Sequence, residues 1–317
     1  MKKIIIILIS VLVLNSLKAQ QSVEYTQFTM NDFGLNPAVA GYIKGLQFMT
    51  GRRTQWRGFA LAPITQFASV TKNIGKKHSY KRYWHGVGIY LEQDEFGLFH
   101  NKVAYGTYAF HLKLTPKYTL SFGFSSGIKQ VFIDNIVYDA NDPALALKPA
   151  SVLLYPDIIP GLYLNSSKLS IGLSIRNIYK NTLNQGAKEI GTPSRLLPNA
   201  YFTASKKFLS FNYDYAFIPA VLVQTNFKNL PVTNFNFMAY YRQRIGIGLS
   251  YRMHDAISAM IQVRIYTNLV VGFSYDYTIS KFRYANANST EIMMGFTPLM
   301  SNEGLSGDVS ACPKFEY

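Results

Sequence analysis

Cysteine is nearly missing from this chain of 317 residues. Cys312 stands alone, which excludes an intrachain disulfide framework and a cysteine-built zinc site. Charge is scarce as well: charged residues fill 15% of positions, where soluble domains carry about 25%. Acidic residues are the scarcer sign, 17 against 32 basic, for a formal charge of +15. Long apolar runs are absent too. Ile4–Leu14 covers about 11 residues where a spanning helix needs about 20, and no heptad pattern supports a coiled coil. What is present is apolar and aromatic: 48% hydrophobic and 15% Phe, Trp and Tyr, which excludes a disordered chain.

The N-terminus has the layout of an export signal: Lys2 and Lys3, the apolar run, then Ala19 before Gln20. Residues 1–19 are expected to be removed, taking Lys2, Lys3 and Lys18 with them and leaving +12. Residues 20–44 are expected to form a periplasmic segment, 45–297 the folded domain and 298–317 a periplasmic tail.

From residue 45 onward the pattern repeats every two residues, as strands with unlike faces do. Val271, Phe273, Tyr275 and Tyr277 alternate with Gly272, Ser274, Asp276 and Thr278. Ile245, Ile247, Leu249 and Tyr251 alternate with Gly246, Gly248, Ser250 and Arg252. The pattern predicts about 14 strands, near 45–54, 63–74, 84–94, 101–113, 118–133, 156–166, 168–178, 198–207, 208–219, 232–242, 244–253, 255–266, 268–280 and 289–297. Connections on one side are mostly tight. Those on the other include long stretches near 134–155, 179–197 and 219–231. Short turns on one side, longer loops on the other and an even strand count are the marks of an all-β, antiparallel outer-membrane barrel with periplasmic turns.

A soluble sandwich also alternates, so the less apolar face decides. Here it is Gly, Ser, Asn and Thr with occasional Arg or Asp, which suits a crowded lumen, while the other face is too apolar for water. Arg176, Arg252, Arg264, Asp214 and Asp276 are expected to form a plugging network there. Tyr83, Trp84, Phe217, Tyr240, Tyr241, Tyr251, Tyr277 and Phe296 read as interfacial girdles.

Enzyme signatures are missing: no nucleophile elbow, phosphate-binding glycine loop or paired metal-ligating histidines, so no catalytic, cofactor or metal residue is assigned. His78, His85, His100, His111 and His254 read as turn or strand-end residues. Glu92, Asp94 and Glu95 are expected in a solvated outer loop. Asp139, Asn141 and Asp142 suit an Asn-Asp-Pro turn or a calcium loop equally. Basic residues gather in the short connections, at Lys76, Lys77, Lys81, Arg82, Lys206, Lys207, Arg242 and Arg244. This rim reads as a docking face for an acidic partner or anionic lipid, or as solubilising turns, and not as a nucleic-acid site.

Gln27-Phe28-Thr29-Met30, then Leu35-Asn36-Pro37-Ala38-Val39-Ala40-Gly41, then Arg52-Arg53-Thr54-Gln55-Trp56 resemble the opening of the PorP/SprF family of Bacteroidetes type IX secretion and gliding. Glu291-Ile292-Met293-Met294-Gly295-Phe296 and Cys312-Pro313-Lys314-Phe315 resemble its closing strand and tail. Asn36 and Pro37 read as a corner, Gly41 as a site of positive φ, and Arg53, Gln55 and Trp56 as anchors of the first strand. The resemblance implies a non-enzymatic outer-membrane component, working with the periplasmic secretion ring or delivering a large adhesin to the cell surface, among lipids including lipopolysaccharide. A transport barrel for a hydrophobic or nutrient ligand is the alternative with the same fold.

Overall fold

The computed structural model describes residues 23–75, 82–133, 152–179, 182–183, 194–195, 197–212, 214–266, 268–280 and 287–297. Fourteen strands form one closed antiparallel barrel: β1 Leu46–Thr54, β2 Ile64–Ile74, β3 Tyr83–Phe96, β4 Phe99–Lys113, β5 Thr119–Ile133, β6 Val152–Asn165 and β7 Leu169–Arg176, then β8 Asn199–Lys206, β9 Tyr215–Thr225, β10 Val232–Tyr241, β11 Ile245–Arg252, β12 Ala256–Tyr266, β13 Leu269–Thr278 and β14 Ser289–Phe296. Each pairs with its neighbours in sequence, and β1 pairs with β14 to shut the ring. Closure pairs every strand on both sides, as a barrel in lipid requires, although the ladder of β6 to β7 is short. Two short ladders are additional: Thr182–Leu183 with Ser194–Arg195, and Phe208–Leu209 against β9.

The chain enters β1 and leaves β14 at the same end, here the near rim. The strand ends joined by 75–82, 114–118, 166–168, 207–214, 242–244 and 267–268 lie there; those joined by 55–63, 97–98, 134–151, 177–198, 226–231, 253–255 and 279–288 lie at the far rim. The near rim holds a two-residue reversal at Arg242-Gln243, both with positive φ (45° and 55°). That is the backbone whose twist matches antiparallel strands.

Alternation sorts the side chains as the period-two pattern requires. Phe235, Phe237, Ile247, Leu249, Ile257, Ile261 and Phe273 are exposed on the outer face, while Asn234, Asn236, Ser250, Ser258, Gln262 and Ser274 are buried inside. Tyr83, Phe217, Tyr241, Tyr251, Tyr277 and Phe296 face outward; Trp84 and Tyr240 do not, being 1% and 3% exposed in the lumen. Adjacent residues of one strand point to opposite faces, so Tyr83-Trp84 and Tyr240-Tyr241 cannot both be girdle pairs.

Three strand assignments change. β9 runs 215–225 and not 208–219, because Phe208-Leu209 folds back onto Ala216 and Phe217 and because Pro219 sits within the strand opposite Phe237. Lys206-Lys207 therefore opens an eight-residue connection, not a tight turn. β6 starts at Val152 and carries Pro156 and Pro160; its ladder to β7 covers Gly161–Asn165 alone, so the segment holding Pro156 and Pro160 has no β7 partner. Proline is tolerated where the strand has an unpaired side. Finally, Glu92, Asp94 and Glu95 lie in β3, which turns only at Gly97-Leu98, with Gly97 at φ 60°. Glu92 is buried at 8% exposure and is no loop residue.

Candidate functional site

Residues 23–43, expected outside the barrel, run through its interior from the far half down to the near rim. They carry a four-residue helix, α1 (Asp32–Leu35), and a 3-10 turn at Pro37–Val39. Tyr25, Phe28, Met30, Leu35, Ala38 and Ala40 are all buried, against wall residues such as Phe67, Tyr201, Met238, Met260 and Met293. The barrel core is therefore built around this segment.

At the far half an ion lattice ties the segment to the wall. Arg53 of β1 reaches Asp276 of β13 at 2.7 Å and Glu291 of β14 at 3.2 Å, all about 1% exposed. The Thr26 hydroxyl donates to Asp276 at 2.8 Å and accepts from Arg53 at 2.9 Å, while the Thr26 and Gln27 backbone N–H groups donate to Glu291 at 2.9 Å each. Arg252 of β11 pairs with Glu24 at 3.2 Å and Asp255 at 3.0 Å and lies 3.8 Å from Asp276. Burial pushes the Glu24 carboxyl up, opposed by the Arg252 charge. Buried charges persist only where they are paired, and here two arginines and four acids pair with one another.

A second group lies across the lumen. Tyr25 and Tyr90 donate to Glu92 at 3.0 and 2.7 Å, and Tyr105 donates to Asp157 at 2.8 Å. Arg176 lies 3.8 Å from Glu92, over the rings of Tyr90 and Tyr201, and donates to the Gly34 carbonyl. Burial pushes the Tyr25 phenol well up, with Glu92 adding to the effect.

Toward the near rim the motif Asn36–Gly41 is seated by backbone contacts. Asn36 caps Ala38 N–H at 2.9 Å and donates to the Leu162 carbonyl at 2.8 Å. Ring nitrogen Nε2 of His111 meets the Ala40 carbonyl at 2.8 Å, Nδ1 meets Ser121 at 2.7 Å, and Trp84 stacks on the ring at 5.0 Å. A carbonyl only accepts, so Nε2 carries the proton. Trp84 and Asn73 donate to the Gly41 carbonyl at 3.3 and 2.7 Å, and Gly41 has φ 65°. The wall admits this backbone through inward glycines: a Cβ at Gly86 would fall on the Ala40 carbonyl, and one at Gly123 on Ala38 N. What remains below is a cavity of about 130 Å³ lined by Asp32, Tyr42, Tyr163, Lys168 and Met238.

Of the residues singled out in the sequence, Asn36, Pro37, Ala38, Gly41, Arg53 and Glu291 meet in the lumen. Gly295 is buried in β14, and Phe296 faces outward at the near rim. Gln55 and Trp56 lie in the far-rim connection, where Gln55 N–H donates to Pro63 and Trp56 N–H to Ser289. Arg82, Lys206, Arg242 and Arg244 are exposed at the near rim, joined by Lys117 and Lys168; Lys207 is half-buried, and Lys76, Lys77 and Lys81 lie outside the described residues. Cys312, Pro313, residues 1–19, His78, Asp139, Asn141 and Asp142 lie outside them too. Of the expected plugging residues, Arg176, Arg252 and Asp276 act as such. Arg264 is half-buried on the inner face, and Asp214 pairs with Arg242 at 3.0 Å on the near rim, outside the lumen. The sequence reading missed Thr26, Glu24, Tyr25 and His111 as contacts of the inner segment. Inward glycines were the available signal.

Among described residues no group of three or more His, Cys, Asp or Glu could hold a metal ion. No curated protein matches the chain. Among solved structures, the toluene transporter TbuX of Ralstonia pickettii aligns with TM-score 0.51 and 12% identity, covering 85% of this chain and 93% of its own. Omp33 of Acinetobacter baumannii aligns with TM-score 0.48 and 8% identity over 81% and 99%. The first of these likenesses shows a common outer-membrane barrel fold. Residues 17–296 match the family described as type IX secretion system membrane protein PorP/SprF, and the chain belongs to that family.

Proposed function

We propose that this barrel is a plugged, non-conducting anchor of type IX secretion, without catalysis of its own, set with its near rim in the periplasm. The observation that carries the reading is the filled lumen: residues 23–43 are tied to the wall by Arg53, Asp276, Glu291 and Arg252. Such a barrel works through its rims. The near rim exposes Arg82, Lys117, Lys168, Lys206, Arg242 and Arg244, with Asp214 as the carboxylate among the described residues there. That charge suits an acidic face of the periplasmic secretion ring. The far rim carries the longer connections and suits a surface adhesin. The export signal over 1–19 and the tail over 298–317 belong to the same reading.

The test is co-purification from detergent-solubilised outer membrane, together with conductance in planar bilayers. Secretion-ring proteins are expected to co-purify at low salt and to be lost in Lys206→Glu/Lys207→Glu. The purified barrel is expected to give no steady channels. Robust single-channel currents from the wild type, or uptake of a hydrophobic solute that is lost on deletion while secretion continues, would favour the transport barrel instead.

A further inference from the structure

One stretch of the outer wall does not look like a lipid face. Strand register aligns Arg52 of β1, Gln66 of β2, Gln93 of β3, Lys102 of β4 and Gln130 of β5 in a single cross-strand row. Side-chain alternation turns the row outward: Arg52, Gln66 and Lys102 are exposed, Gln93 and Gln130 half-buried. Each lies two or three residues from the far end of its strand. The row ends at Ile292 on β14 and Leu154 on β6, where the wall becomes apolar again.

Neither cation has a carboxylate within ion-pair reach among the described residues. Glu95, one row further out, accepts from Gln93 at 2.8 Å and lies 3.8 Å from His100. A guanidinium turned toward hydrocarbon with no counter-charge is costly, and barrels keep such residues off the lipid face unless something at the interface meets them. The row just below is made of Thr50, Ala68, Leu91, Ala104 and Ile128. Its small members help to leave a hollow of about 900 Å³ in the outer wall that both rows line, bordered on its apolar side by Ile292, Met294, Leu91, Ile128 and Leu154. The opposite wall offers nothing of the kind: β10 to β13 present Phe235, Phe237, Ile247, Leu249, Ile261 and Phe273.

We propose that this row and hollow hold one phosphorylated glycolipid of the outer leaflet. Three strand spacings of about 4.8 Å separate Arg52 from Lys102, so the two can meet separate phosphates of one head group. The amides of Gln66, Gln93 and Gln130 supply the hydrogen bonds that sugar hydroxyls need, and the acyl chains lie in the apolar hollow beneath. Charge complementarity, the amphipathic order of the two rows and their place near the far rim fit this occupant together; a partner protein would require no hollow shaped for chains. The assignment rests on the orientation proposed above, with the far rim outside.

The test titrates delipidated, refolded barrel with purified lipopolysaccharide, and separately counts lipid phosphate retained after mild detergent extraction. Each basic residue at a lipid surface contributes about fivefold, so Arg52→Gln/Lys102→Gln should weaken binding about 30-fold. Lys206→Gln/Lys207→Gln should leave it unchanged, and heat-modified gel mobility should show both variants folded. Equal retention by wild type and Arg52→Gln/Lys102→Gln overturns the assignment while leaving the orientation intact. Loss confined to the near-rim variant overturns both, and a protein found seated on this wall in place of lipid overturns the occupant.

Discussion

Arg53 is where the plugged lumen is most exposed to a single change. Arg53→Ala removes the cation that meets Asp276 at 2.7 Å and Glu291 at 3.2 Å. Taking one partner from a buried pair costs about 3–5 kcal/mol, because the other charge is left without compensation. Two features place this site near the low end: Arg252 stays 3.8 Å from Asp276, and Glu291 keeps the Thr26 and Gln27 backbone N–H groups at 2.9 Å. A loss of about 3 kcal/mol shifts the balance between seated and released inner segment roughly 100-fold. Hydrogen exchange across residues 23–43 reads that shift directly, and planar-bilayer recordings should show intermittent openings absent from the wild type. The internal control is one residue away. Arg52 belongs to the same strand and has the same charge but faces outward, so Arg52→Ala should leave exchange in 23–43 within about twofold of wild type. Equal acceleration by the two substitutions, or none by Arg53→Ala, would refute the idea that the lattice holds the segment.

Two further outcomes test the lower half of the lumen. Gly123→Ala and Gly86→Ala should each unseat the Asn36–Gly41 backbone, seen as protease sensitivity near residue 40 and a lowered unfolding temperature. Gly106→Ala, on the outer face where a Cβ meets nothing closer than 3.9 Å, should be near neutral, and a matching loss there would dismiss the close-approach argument. Burial pushes the Asp32 carboxyl up to about 8 from an ordinary 3.8, so the native state binds this proton more tightly than the unfolded chain does. Its contribution is complete below about pH 4 and is lost as pH rises through 8. Asp32→Asn should therefore match wild type in denaturant titrations at pH 4 and exceed it increasingly toward pH 9; a difference flat in pH would count against the burial of Asp32.

The barrel was legible because its physics is local. A strand between lipid and lumen must alternate, and the series Val271, Phe273, Tyr275 and Tyr277 has no other sensible reading. Misreadings arose where one residue obeys two rules. Pro219 looks like a strand end until the ladder of β9 to β10 sets it opposite Phe237 within the strand. Trp84 and Tyr240 look like girdle aromatics until parity turns them inward. The inner segment was hidden for a different reason. Residues 23–43 have no period, since they meet a concave wall on all sides, and their partners Glu92, His111, Asp276 and Glu291 lie between 67 and 265 residues away in sequence along the bonds that hold them. Only the inward glycines hint that the lumen must admit a backbone.

The position of the ion lattice has a consequence for the order of assembly. Arg53 and Glu291 are direct register partners across the β1–β14 seam, 238 residues apart, and Asp276 stands on the next strand. The segment they clasp precedes β1, so it is made before any strand and must wait for the last two. The arm of the clasp built on Arg53 can form only when the ring shuts, because its cation comes from the first strand and its carboxylates from the thirteenth and fourteenth, whereas the Arg252–Glu24 pair needs only the eleventh. That arm is thus completed last and non-locally, at the step that carries the largest loop-closure cost. A barrel halted one strand short would lack Glu291 and its hold on the Thr26 and Gln27 backbone, so completion of this arm reports that the wall is complete.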